Sequence, residues 1–220
     1  LFFAKNPYKY IITSKVRLVH FRGNKRINIL DKKEIDRGII GNFEFAIEYI
    51  KERVPVEYII EKLTRDEYPE YPEKAYREAI INAIIHFDYF NGSAIAIEKL
   101  KSSIFINNKG ELLFDLKDFG KRSELRNRLL ANLLSKTEYM EKIGTEIKRI
   151  KDACSLNNNK VEFSFSDAFF VQIYSNKDGV KDGIKDGVKD GVKLTLNQQE
   201  HKKTINNDKI VKIIKKIRLF

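Results

Sequence analysis

From Lys177 to Lys193 the chain reads KDGVKDGIKDGVKDGVK, four tandem copies of a four-residue unit and a closing lysine. One glycine in four, alternating charges and one apolar residue per unit cannot bury enough surface to offset the entropy of ordering. The period is also too short for a solenoid. Any packed core must therefore come from residues 1–175, with 176–193 as a linker and 194–220 as a tail. The chain is 220 residues long and 42% hydrophobic, which suits one substantial domain carrying such appendages.

Inside that limit the apolar period changes repeatedly. KVRLVHFRG (15–23) alternates basic and apolar residues as a strand does, and INIL extends it across a hairpin. From Asp31 the spacing becomes helical, with Ile35, Ile39, Phe43, Ile47 and Ile50 on one side and Pro55 beyond the end. VEYIIEKL reads as another strand. Two prolines, Pro69 and Pro72, precede the next helix, the second near its first turn, where proline is tolerated. SAIAIEKL and SSIFINN read as paired strands, and NNKGELLFDLKDFGKRS as a loop. ELRNRLLANLLSKT and MEKIGTEIKRIKDAC return to helical spacing, and VEFSFSDAFFVQIYS alternates as a strand. Strands and helices in mixed, non-repeating order predict an α/β fold: a two-layer sandwich of helices on a mixed sheet, followed by the low-complexity linker and a short basic tail.

The central helix carries an oddity. In YREAIINAIIHFDYF (76–90), Glu78, Asn82 and His86 lie four residues apart, so one helix face stacks a carboxylate, an amide and an imidazole. Buried without partners, such groups would cost roughly 1–3 kcal/mol each. A Glu/Asn pair at this spacing has a use in nucleotide chemistry. The amide oxygen is a hard ligand for Mg²⁺, and the carboxylate can orient or deprotonate the water that attacks a γ-phosphate. The plain alternatives are an exposed helix edge with Glu78 paired to a lysine, and a hydrogen-bonded histidine at the core edge.

The wider stretch EYPEKAYREAIINAIIHFDY resembles the pattern E-x-P-x-x-A-x-R-E-A-x-x-N-A-x-x-H-R-D-Y. That pattern belongs to the histidine-kinase-like ATPase domain of RecG-related transcriptional regulators, proteins often described as ATP-dependent DNA helicase-like although they lack helicase motor domains. LFFAKNP, VRLVHFRG, ELRNRLLANLL and YMEKIGTEIKRIKDAC continue the resemblance in order across residues 1–175. It implies an ATP-binding fold of the gyrase and histidine-kinase type, with ATP and Mg²⁺ as ligands. Carried over residue by residue, Glu78 would be the water-activating carboxylate and Asn82 the Mg²⁺ ligand. Gly110 would sit in the first glycine loop, and Gly144 and Thr145 in the later loop on the phosphate side. His86 and Asp88 match the H-R-D-Y run. Four departures weigh against activity. Phe87 stands for its arginine, NNKGELL for N-P-G-G-L-P, GTE for G-T-G, and Arg128 for a proline after RN. At the third of these, Glu146 puts an acid where close approach to phosphate favours glycine. Gly144 has a bland reading too, as the start of the following helix.

The resemblance further implies a Schlafen/AlbA-like domain upstream of Leu1 and a C-terminal winged helix, which VKLTLNQQ approaches and of which the basic tail 194–220 would be only a stub. Read so, the chain is a fragment of a longer regulator that couples nucleotide state to DNA binding, at most a slow ATPase, with a homodimer among its possible assemblies. The alternatives are a degenerate ATPase fold kept as a scaffold in a DNA-binding protein, or a fragment without independent function. Charge agrees with an anionic partner. The net charge is +11, of which residues 201–220 supply +6, through seven Lys/Arg against the single Asp208. A solvated lysine-rich surface explains the same numbers. The lone Cys154 forms no disulfide within the chain and favours a reducing, cytoplasmic setting. No Cys/His cluster suggests zinc and no Walker-type phosphate loop is present.

Overall fold

The computed structural model describes residues 1–61, 64–90, 93–119, 121, 124–140, 144–165, 168–177 and 192–194. Most of the expected linker and all of 201–220 lie outside the described residues.

Strands β1 (Val16–Phe21), β2 (Ile29–Ile35), β5 (Ile95–Lys99), β6 (Ser103–Lys109), β7 (Val161–Phe165), β8 (Ala168–Tyr174) and β9 (Val192–Leu194) form one sheet in the order β2-β1-β5-β6-β8-β7-β9. β1 and β5 run parallel and the other neighbours antiparallel, so the sheet is mixed. β3 (Val56–Glu61) and β4 (Thr64–Pro69) make a separate antiparallel pair. The helices are α1 (Gly38–Lys51), α2 (Glu73–His86), α3 (Arg128–Leu134) and α4 (Glu146–Leu156). The expected sandwich of helices on a mixed sheet is what forms.

Strand alternation decides which side chains meet the helices. Val16 and Leu18, Ile95 and Ile97, Ile104 and Ile106, and Val171 and Ile173 point into the main core, where Ile80, Ile81, Ile84 and Ile85 of α2 meet them. The opposite parity, with Val19, Phe21 and Phe105, joins Leu100 in a smaller cluster on the other side. α2 is buried on most sides because α1, α4 and the sheet surround it; Ala79, Ile80 and Ile85 have no exposure at all.

Four features differ from the sequence reading. The helical spacing from Asp31 includes Ile35, yet Asp31–Ile35 belongs to β2, and the helix starts at Gly38. Pairing of β2 along β1 overrides a local pattern that both structures satisfy. VEFSFSDAFFVQIYS is two strands paired as a hairpin, β7 and β8, rather than one. Finally, Val192 and Lys193, inside the expected linker, and Leu194 of the expected tail pair antiparallel with β7. An edge strand presents unpaired N–H and C=O groups that a returning segment can satisfy. Thr64–Pro69, for which no strand was expected, is β4.

Candidate nucleotide site

α2 ends where β6 ends, and a cleft opens between them and the start of α4. Asn82, His86, Gly110, Gly144 and Thr145 all line it. Four residues picked from a helix and two distant loops thus converge: Asn82 from α2, Gly110 after β6, and Gly144 with Thr145 ahead of α4. Asn82 is 6% exposed.

Glu78 sits differently. It is buried at 7% exposure, and its Oε2 accepts a hydrogen bond from Arg149 Nη2 at 2.8 Å. It lines a separate depression with Arg77, Ile81 and Tyr139, one turn before the cleft. The same guanidinium donates through Nη1 to the hydroxyl of Thr145. Arg149 therefore clamps α2 to the N-terminus of α4, and Glu78 is an ion-paired buried acid rather than the lysine-paired surface acid that was the bland alternative.

His86 is half-buried, and burial first, then the positive charge of Arg126, pull its imidazole down to a pKa of about 4. It is neutral at pH 7. The loop behind it leaves no room for a side chain at residue 110. Gly110 has φ +156°, and a Cβ there would lie 3.0 Å from the His86 carbonyl oxygen and 3.3 Å from Arg126 Nε. Arg126 Nη2 donates to the Glu111 carbonyl at 2.7 Å, and Nη1 lies 3.9 Å from Asp88 Oδ2. Next to it, Asn127 Nδ2 donates to the carbonyls of Ile85 and Phe87 at 3.0 and 2.8 Å, satisfying the open end of α2. The RN pair thus holds the cleft's rear wall, and Arg128 occupies the first position of α3, where a proline would also fit.

At the front, Gly144 has φ +90°, a conformation that favours glycine. Its N–H donates to Glu146 Oε1 and Oε2 at 2.9 and 3.0 Å. Glu146 is 4% exposed and lines the cleft beside Thr145. Gly144 does not begin the helix; Thr145 is the N-cap residue and Glu146 the first helical one.

The residues that sequence reasoning missed are Asn108, Arg149 and an aromatic wall. Asn108 is 1% exposed, lines the cleft, and its Nδ2 has no hydrogen-bond partner. A signal for it existed: Asn108 shares the strand parity of Ile104 and Ile106, so an amide stands at a core-facing position. The wall is formed by Phe119, Phe165 and Phe169, with ring centroids 4.6 Å apart for Phe119 and Phe165 and 4.9 Å for Phe165 and Phe169. Two of its rings come from the β7–β8 hairpin that had been read as a single strand. Among the described residues no cluster of three or more His, Cys, Asp or Glu could hold a metal by itself.

Residues 92–173, from just before β5 to the end of β8, match the family described as "Putative ATP-dependent DNA helicase recG C-terminal". Over those residues this bears out the RecG-related ATPase resemblance; Glu78, Asn82 and His86 on α2 lie outside the match. Among solved structures, the DIP2311 protein from Corynebacterium diphtheriae is similar, with TM-score 0.63 and 17% identity over 73% of this chain and 34% of that one. The chain therefore spans about a third of that neighbour, and at this identity the likeness is one of fold. No match was found among curated proteins.

Proposed function

Given an ATPase-like domain of the RecG-related family over residues 92–173, we propose that the cleft is a nucleotide site of the ATP class. Its occupancy would regulate DNA binding in a longer transcriptional regulator. The observation that carries this reading is Asn108. A buried amide donor without a partner costs roughly 1–3 kcal/mol, and here it belongs to a residue that lines the cleft. Gly110 and Gly144 supply the close backbone approach that a nucleotide needs, and Phe119 and Phe165 offer ring faces and edges to a base. Asn82 is the residue that would hold Mg²⁺, which takes most of its ligands from phosphates and water. When bound, that ion would neutralise phosphate charge.

Two observations set limits. Glu78 is held by Arg149, so the arrangement supports binding rather than turnover. Glu146 fills the phosphate-side loop with a negative charge, which favours the second reading, a degenerate ATPase fold serving as a scaffold. At about 4 Å and an effective dielectric near 20, one like-charge pair costs roughly 4 kcal/mol, or about a thousandfold in affinity. Native chain is accordingly expected to bind ATP with Mg²⁺ weakly, and Glu146→Gly to bind it measurably by isothermal titration. Asn108→Leu in the Glu146→Gly background should abolish that binding, and Asn82→Ala should remove its Mg²⁺ dependence. Failure of Glu146→Gly to bind any purine nucleotide or nucleoside would leave the scaffold reading in its place.

A further inference from the structure

The N-terminus of the eleven-residue α4, with the turn amide of Gly144 just before it, has the chemistry of an anion site. That site already has an anion, and the chain supplies it. The Glu146 carboxylate takes the Gly144 N–H with both oxygens and is nearly buried. Among the described residues that line the cleft, Arg126 is tied to the Glu111 carbonyl and faces Asp88, and Lys148 makes an exposed pair with Asp152 at 2.6 Å. Glu111 and Glu124 add two further acids to the lining. The same lining also holds stacked phenylalanines and Asn108, whose buried amide nitrogen is unpartnered.

On the reading of this cleft as a nucleotide site, we propose that Glu146 stands in for a phosphate, so that the native cleft selects uncharged purine nucleosides over their phosphates. The base lies against Phe119 and Phe165, where rings gain from offset or edge-on contact, and presents an acceptor to Asn108 Nδ2. The sugar end meets Glu146 as a hydrogen-bond acceptor for its hydroxyls. A phosphate at the same place meets a like charge and a donor already in use. Each added phosphate therefore weakens binding, the reverse of the order expected of an ATP site.

The test is a titration of adenosine, AMP, ADP and ATP, with Mg²⁺ present, into the native chain, Glu146→Gln and Glu146→Gly. Glu146→Gln keeps the side-chain shape should the glycine loosen the start of α4, and circular dichroism checks that both variants fold. Native chain is expected to bind adenosine best and ATP about tenfold or more weaker. Both substitutions should raise ATP affinity by about tenfold or more, while adenosine, which loses the acceptor for its hydroxyls, should bind no better than it does to native chain. ATP binding to native chain as tightly as adenosine would overturn the inference and leave the nucleotide reading standing. So would a Glu146 substitution that shifts adenosine and ATP equally. Binding of no purine ligand to any of the three proteins would overturn both.

Discussion

Arg149 reaches Glu78 with one guanidinium nitrogen and the Thr145 hydroxyl with another, from a side chain 12% exposed opposite a carboxylate 10% exposed. A pair so enclosed is costly to halve, because the remaining charge stays out of water. Glu78→Ala is expected to lower the unfolding free energy by roughly 3 kcal/mol, read from denaturant curves, with Glu78→Ala/Arg149→Met recovering part of it. A loss below about 1 kcal/mol would show that water screens the pair as at a surface. His86 gives a second prediction at this scale. Its folded pKa, about 4, is depressed from the ordinary 6.5, chiefly by burial. The stability linked to it is therefore complete above pH 6.5 and is lost as pH falls toward 4, because the unfolded chain takes up the proton first. The full effect is on the order of 3 kcal/mol. The stability gap between native chain and His86→Gln should shift by about that much against native chain between pH 7 and pH 4. Equal acid sensitivity in both would assign the loss to the carboxylates instead.

At the scale of elements, α2 was legible because its apolar run, its proline before the first turn and its four-residue polar spacing agree with one another. The corrections fall where local pattern and pairing compete. Ile35 fits either the helix spacing or the strand parity, and β1 decides it. The two residues 166–167 that separate β7 from β8 carry no glycine or proline, so the hairpin could not be seen in composition. The site was legible in the same uneven way. Asn82, Gly110, Gly144 and Thr145 line one cleft, whereas Glu78 does not. Arg149 lies 71 residues from its partner Glu78, and no spacing rule links them. Asn127 shows how an element depends on a distant side chain, since its amide closes the carbonyl end of α2. Asn127→Ala should destabilise the fold by about 1–2 kcal/mol and speed amide exchange in α3, whose N-cap it is. Unchanged exchange there would mean that water replaces the amide at no cost.

At the scale of the whole molecule, the sheet does not end where the repeat begins. β9 returns to the β7 edge from the last residue of the fourth unit, at the same edge as the aromatic hairpin that walls the cleft. The charge is distributed the other way, with residues 201–220 supplying +6 of the +11. We propose that these lysines bind nucleic acid without sequence preference, by releasing counterions from phosphates. Six neutralised phosphates would give a slope of log K against log salt on the order of −5 on duplex DNA. Fluorescence anisotropy on a random-sequence duplex measures that slope for the full chain and for a chain lacking 201–220. The shorter chain should keep its thermal midpoint, because its core comes from residues 1–175, and should lose most of both the affinity and the salt dependence. Equal affinity and equal slope in the two chains would place DNA contact on the folded domain, whose β1–β2 hairpin carries Arg17, Arg22, Lys25 and Arg26, and would leave the tail as a solvated lysine-rich segment.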